Sequence, residues 1–262
     1  MDKKYKLLNS INLSFYMPTN SNFNFTNNSV VTLELPFSEH VEELRQRLFL
    51  IVGVILLFTC FAFVEVKSLV KILELPINNV KFFQLSPGEY FISTVKISFY
   101  TGLLFSSPVA IGQLILFLLP GLTKKETKII LPLLISSLVL FGLGLAFSYY
   151  TLVPAALNFF LNYSEEVLEP FWSFDQYFEF ILVLFYSTGL AFQIPIIQIL
   201  VGLLNIVSPK QMLGAWRYVI LISTILGAIL TPSTDPLTQL LLSFAIIILY
   251  ISGLGILFLI KR

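Results

Sequence analysis

Apolar residues fall along this chain in six long blocks separated by short polar segments. No charged side chain occurs from Leu48 to Val64. Further blocks run over Ile97–Leu119, Ile129–Val153, Tyr177–Leu203, Tyr218–Leu230 and Leu237–Ile260, and the first block extends to Val66. A bilayer core about 30 Å thick takes roughly 20 apolar residues in a helix. Hydrocarbon offers backbone groups no water to bond, so helix is the state each block must adopt. The pattern therefore predicts an all-α, polytopic membrane protein with six transmembrane helices. Pro132 and Pro195 lie inside the third and fourth blocks, where a membrane helix tolerates a kink. The fifth block is short, rising only about 20 Å. The turn Thr231-Pro232-Ser233-Thr234-Asp235-Pro236 joins it to the sixth as a tight antiparallel hairpin.

Two domains follow from the same pattern. Residues 1–36, rich in Asn, Ser and Thr, are expected to be a flexible tail, and 37–262 the six-helix membrane domain. Lys3, Lys4 and Lys6 precede no apolar core long enough for a signal peptide.

Charge sets the expected orientation. With the N-terminus inside, the inner segments hold Lys3, Lys4, Lys6, Arg45, Arg47, Lys124, Lys125, Lys128, Lys210, Arg217, Lys261 and Arg262. The remaining basic residues, Lys67, Lys71, Lys81 and Lys96, all fall in the first outer loop. The positive-inside rule then predicts both termini inside. Glu165, Glu166, Glu169, Asp175 and Glu179 gather on the outer side.

Composition agrees: 56% of residues are hydrophobic and 12% charged, against about 25% charged in a soluble domain. A formal net charge of +1 gives no reason to expect nucleic acid. The chain has one cysteine, Cys60, and one histidine, His40. That inventory argues against a zinc site and against a Ser-His couple within the membrane. No catalytic residue, metal or cofactor is expected.

Candidate chemistry concentrates just before the first span, in Ser38-Glu39-His40-Val41-Glu42-Glu43-Leu44-Arg45-Gln46-Arg47. Ser38 is a suitable N-cap, and Glu39 and Glu42 suit the positive end of the helix dipole. Phe37, Val41, Leu44 and Leu48 share a face at helical spacing. The segment reads as an amphipathic helix lying at the inner surface before it turns into the membrane. Spacing leaves two roles open: an interfacial anchor in which Glu43 pairs with Arg47 at i,i+4, or a polar recognition surface. Similarly, Glu126 reads as a solvated acid among lysines, Phe117 as a packing aromatic and Asp235 as a turn former.

These segments resemble, in order, the motifs of the TatC family of twin-arginine protein translocases. His40-Val41-Glu42-Glu43-Leu44-Arg45-Gln46-Arg47 is similar to the family's H-x-x-E-L-R-x-R motif. Ser86-Pro87-x-x-x-Phe91 resembles its first outer loop. Ser107-Pro108 and then Phe117-x-x-Pro120-x-Leu122-x-x-x-Glu126 resemble its second span and first inner loop. Phe192-Gln193-x-Pro195 and the turn ending in Asp235-Pro236 complete the set, covering the chain from about residue 37 to its end.

The resemblance implies a non-enzymatic membrane receptor for the twin-arginine signal peptides of folded cargo. It would work with single-span TatA/TatB-like partners, as a homo-oligomer within a hetero-complex, driven by the proton-motive force. It assigns Glu43, Arg45, Arg47, Phe117 and Glu126 to the signal peptide and Gln193 to a partner helix. His40, Leu44, Ser86, Pro87, Phe91, Pro108, Pro120, Pro195 and Asp235 are its motif positions. Many bacterial members carry Glu where Gln193 stands, whereas the cyanobacterial and plastid branch resembles this chain. Heavy use of Phe, Ile, Lys and Asn suggests an AT-rich genome, pointing to a plastid thylakoid membrane, with a cyanobacterial thylakoid or plasma membrane as the alternative. The competing function is a small-molecule secondary transporter. Such proteins usually hold ionisable groups mid-membrane, and no block centre here contains one. An intramembrane hydrolase is disfavoured by the absence of G-x-S-x-G and H-E-x-x-H motifs.

Overall fold

The structure, a computed structural model, describes residues 37–76, 81–117, 127–164, 171–231 and 235–260. Ten helices occur among them: α1 Phe37–Val64, α2 Val66–Glu74, α3 Glu89–Phe117, α4 Thr127–Phe147, α5 Val153–Ser164, α6 Phe174–Ala191, α7 Ile194–Leu203, α8 Pro209–Gly214, α9 Trp216–Leu230 and α10 Pro236–Ile260. A π-helical turn, Ser148–Leu152, joins α4 to α5. Two three-residue strands, β1 Lys81–Phe83 and β2 Phe171–Ser173, pair in parallel with Lys81 opposite Phe171.

Among the described residues, five helical segments are long and apolar enough to cross a membrane: Val41–Val64, Glu89–Phe117, Ile129–Tyr163, Phe174–Leu203 and Pro236–Ile260. The fifth block of the sequence is α9, whose 15 residues rise about 22 Å. The chain is thus an all-α polytopic membrane protein. Its packing is uneven. In the most apolar window of Phe174–Leu203, 67% of residues are buried, against 6% for Val41–Val64. The fourth segment is therefore the centre of the bundle. The first is a peripheral helix that shows Phe49, Leu56, Leu57 and Phe61 outward. The core is built where α3, α4, the π turn, α6 and α10 meet, around Ile97, Phe141, Leu152, Phe178, Ile181, Leu184 and Leu242.

Several boundaries differ from the sequence expectation. No turn separates an interfacial helix from the first span: α1 runs unbroken for 28 residues. Glu, Leu, Arg and Gln are strong helix formers, and no glycine or proline interrupts the run before Gly53. The third span continues past Val153 through the π turn to Ser164. Pro108 and Pro132 sit inside the unbroken helices α3 and α4. Pro195 behaves differently: it lies in the first turn of α7, just after the α6 helix ends. There a missing N–H costs nothing. The Phe192 and Gln193 amides close the break on Thr188 and Leu190 carbonyls at 3.0 Å. The β1–β2 pair was not foreseen in an all-α reading, because three residues are too few for a periodicity.

The α1–α3 crossing depends on small residues. Ser93, Thr94, Ser98, Thr101, Ser106 and Ser107 of α3 are all buried. Most of their hydroxyls donate to carbonyls one turn back, such as Ser98 to Thr94 at 2.8 Å and Ser107 to Leu104 at 2.7 Å. Bonded largely within their own helix, they leave α3 thin enough for its neighbours to approach closely, α6 through the Ser93–Asp175 bond and α1 at Gly102. At Gly102 the approach leaves no room: an added Cβ would lie 2.8 Å from the Thr59 Cα. Gly102→Leu is expected to push α1 off α3, at a cost of about 1–3 kcal/mol. A lower midpoint on thermal or detergent unfolding, with Gly53→Leu unaffected because Gly53 faces open space, checks this.

Candidate functional site: two polar ends and a buried amide

The polar groups of the bundle lie at three levels. At one end, α1 carries the acids and arginines singled out by the sequence. Arg45 pairs with Glu42 in an exposed contact. Arg47 is far better shielded, at 14% side-chain exposure against 62% for Arg45. Its Nε donates to Glu43 Oε1 at 3.0 Å and its Nη2 donates to the same oxygen. Its Nη1 reaches across to α3 and donates to the side-chain oxygen of Gln113 at 2.9 Å. The i,i+4 pair expected between Glu43 and Arg47 is therefore present, with a third member from another helix. Phe117 ends α3 one turn beyond Gln113 and is half-buried. Leu44 is exposed on α1. Glu126 and Pro120 lie outside the described residues, as does the side chain of His40.

At the other end, α3 and α6 start side by side. Lys96 Nζ bridges Asp175 Oδ2 and Glu179 Oε2, each at 2.8 Å. Ser93 donates to Asp175 Oδ1 at 2.7 Å. Below them the buried carboxylate of Glu89 takes four donors. These are the Leu85 amide, the Ser86 amide at 3.2 Å, the Ser173 hydroxyl at 2.8 Å and the Asp175 amide at 3.3 Å. Glu89 thus ties the Ser86-Pro87 turn to β2 and the first turn of α6. Phe91, one turn into α3, stays 65% exposed. Seventeen residues separate Lys96 from Gln113 along α3, about 26 Å of helix. That nearly equals the bilayer core, so the two polar ends sit at opposite membrane surfaces. Asp235, also fully buried, accepts the Thr238 amide at 2.9 Å and caps the start of α10.

Between the ends lies Gln193, at the break of the central segment and 3% exposed. Both halves of its amide are engaged by one α4 residue: Ser137 Oγ donates to its Oε1 at 2.8 Å, and its Nε2 donates to the Ser137 carbonyl at 3.1 Å. The seat is made by glycines. An added Cβ at Gly144 would lie 2.9 Å from the Phe192 ring, and one at Gly189 would lie 2.7 Å from that of Phe141. The Phe192 ring therefore lies against Gly144 of α4, and the Phe141 ring against Gly189 of α6. Five residues on, Gln198 is buried against Gly253 and Pro195, and neither its Oε1 nor its Nε2 has a hydrogen-bond partner among the described residues.

Sequence reasoning missed Gln113, Glu89 and Gln198. The two glutamines had a signal, since each is a lone amide in an apolar helical run, and polar residues so placed usually join helices. Glu89 had one too, as an acid in the first turn of a helix.

These features define a class: an integral membrane bundle with a charged end, a clamped opposite end and a buried interhelical amide. The family profile described as Sec-independent protein translocase protein (TatC) matches residues 39–244. A tatC-like protein of Trieres chinensis is 80% identical over 246 residues, 94% of each chain. The Sec-independent protein translocase protein TatC of Synechocystis is 53% identical, covering 85% of this chain and 88% of that one. The crystal structure of a twin arginine translocase receptor, TatC, superposes with a TM-score of 0.74 at 33% identity, covering 83% of this chain and 98% of that one. The chain belongs to the TatC family of Sec-independent protein translocase proteins, and its role is that of a translocase subunit.

The Gln193–Ser137 bond yields a stability test. Ser137→Ala removes one interhelical pair, and a membrane hydrogen bond of this kind contributes about 0.6–2 kcal/mol. Unfolding in mixed detergent micelles should shift by that amount, whereas Ser252→Ala, at an exposed hydroxyl bonded only within its own helix, should leave it unmoved.

Proposed function

We propose that this subunit is the receptor that binds twin-arginine signal peptides and moves folded cargo across its membrane, driven by the proton-motive force. The observation that carries the reading is the Glu43 carboxylate. It stands at a membrane surface, 31% exposed, already holding an arginine of its own chain. A site that accommodates one guanidinium in partial burial suits another, since planar guanidinium forks match carboxylates bidentately. Phe117 lies near the same end of α3 and offers an apolar shelf for the residues after the arginine pair. Glu126, on the connection after α3, supplies the second carboxylate.

With both termini inside, as the distribution of lysine and arginine supports, this end faces the stroma or cytoplasm where cargo waits. The membrane is a plastid thylakoid, with a cyanobacterial thylakoid or plasma membrane as the alternative. Gln193 serves single-span TatA/TatB-like partners by exchanging its Ser137 bond for a polar residue of the incoming helix. Several copies of the chain assemble with those partners.

Two measurements test this. With Cys60 replaced by Ser, cysteines at Ser164 and Ser233 should react with an impermeant thiol reagent from the lumenal side, and one at Thr123 from the stromal side. Lumenal labelling at Thr123 would overturn the orientation. Photo-crosslinking of a signal peptide should fall about ten- to a hundred-fold in Glu43→Ala and Glu126→Ala membranes, the effect of losing one charge-assisted bond. Wild-type crosslinking in both variants would leave Glu43 and Glu126 as surface acids only.

A further inference from the structure

Arg47 is bonded at both ends of its guanidinium, to Glu43 on its own helix and to Gln113 on α3. We propose that Gln113 is a positioning residue for the signal-reading carboxylate of Glu43, acting through Arg47. The inference rests on the reading of Glu43 as an arginine-binding group.

The geometry is asymmetric. Both Arg47 donors to Glu43, Nε at 3.0 Å and Nη2, fall on Oε1. Oε2 has no partner among the described residues. The third arm, Nη1, lies 2.9 Å from Gln113 Oε1 and 3.4 Å from the Gln113 carbonyl. One oxygen of the carboxylate is held and the other is open. Without the Gln113 side chain the guanidinium keeps only the long 3.4 Å contact to the main-chain carbonyl of α3, and Arg47 and Glu43 approach an ordinary i,i+4 pair. Such a pair is free to rotate and contributes little. With Gln113 the fork is fixed between two helices, and the torsions of Glu43 are fixed with it.

Order of this kind acts on specificity. An incoming guanidinium needs an oxygen presented at a defined angle, because its donors form a rigid planar fork. An ammonium is a point charge with rotatable donors and accepts a wandering carboxylate nearly as well. Gln113 therefore favours arginine over lysine without touching the ligand. It also explains why a lone amide occupies the otherwise apolar end of α3, where a leucine would be cheaper to insert.

The test uses the full-length chain in lipid nanodiscs and two synthetic peptides, one with an adjacent arginine pair before an apolar stretch and one with a lysine pair. Gln113→Met keeps length and removes the side-chain acceptor, leaving only the 3.4 Å carbonyl contact. It should weaken the arginine peptide about tenfold, the effect of one lost charge-assisted bond, and leave the lysine peptide unchanged. In an Arg47→Gln background the same substitution should have no further effect, since coupled residues are non-additive. Equal weakening of both peptides, or an undiminished effect in the Arg47→Gln background, overturns the proposal. If Gln113→Met binds as wild type while Glu43→Gln weakens the arginine peptide, the positioning role fails and the reading of Glu43 survives. If Glu43→Gln itself binds the arginine peptide as wild type does, the reading of Glu43 fails, and the positioning role with it.

Discussion

Hydrocarbon provides no hydrogen bonds, and nearly every polar feature of this molecule follows from that. A buried donor or acceptor left unmet there costs several kcal/mol. The hydroxyls of α3 accordingly bond back to their own helix. Gln193 finds Ser137 for both halves of its amide. Among the described residues, charged groups are absent from the centre of the bundle and collect at its ends. There Lys96, Asp175 and Glu179 neutralise one another on one side and Arg47 and Glu43 on the other. The same rule lets α3 approach α1 closely, because satisfied serines and a glycine present no polar surface and little volume.

The two ends are built for different tasks. The Glu89 end is closed: one carboxylate gathers four donors from a loop, a strand and the first turn of α6, and the lysine bridge locks α3 against α6. The Glu43 end is more open, with a carboxylate oxygen unpartnered among the described residues and with Glu42 and Arg45 about half in solvent. A closed end and a more open end thus lie about one membrane thickness apart. The central segment that joins them is broken at Gln193. The break places a buried amide at the middle of the membrane, where only a polar group from another helix can compete for it.

Much of this was legible from pattern. The apolar blocks located each membrane helix but not all of its ends: the helices begin at Val41 rather than Leu48 and at Glu89 rather than Ile97, and the third runs to Tyr163 rather than Val153; the ordered motifs identified the family. The Glu43–Arg47 pair followed from i,i+4 spacing. Other features were hidden for physical reasons. An uninterrupted run of helix formers gives no sign that an amphipathic face and a span are one helix, so α1 was divided in expectation at Leu48. Residue spacing within α1 cannot show that Arg47 also reaches Gln113, 66 positions away. The β1–β2 pair and the Glu89 cluster join loops distant in sequence, and no periodicity announces them. Gln193 was expected at a partner contact. Its bond to Ser137 comes from the third span, because the glycines at 144 and 189 draw α4 against α6.

The most direct measurement is a structure of the full chain in lipid with a twin-arginine signal peptide bound. The account predicts a guanidinium of the peptide within hydrogen-bond distance of Glu43 Oε2, with Arg47 still seated on Gln113. A peptide bound with its arginine pair away from Glu43, for example at the Glu89 end, would contradict it.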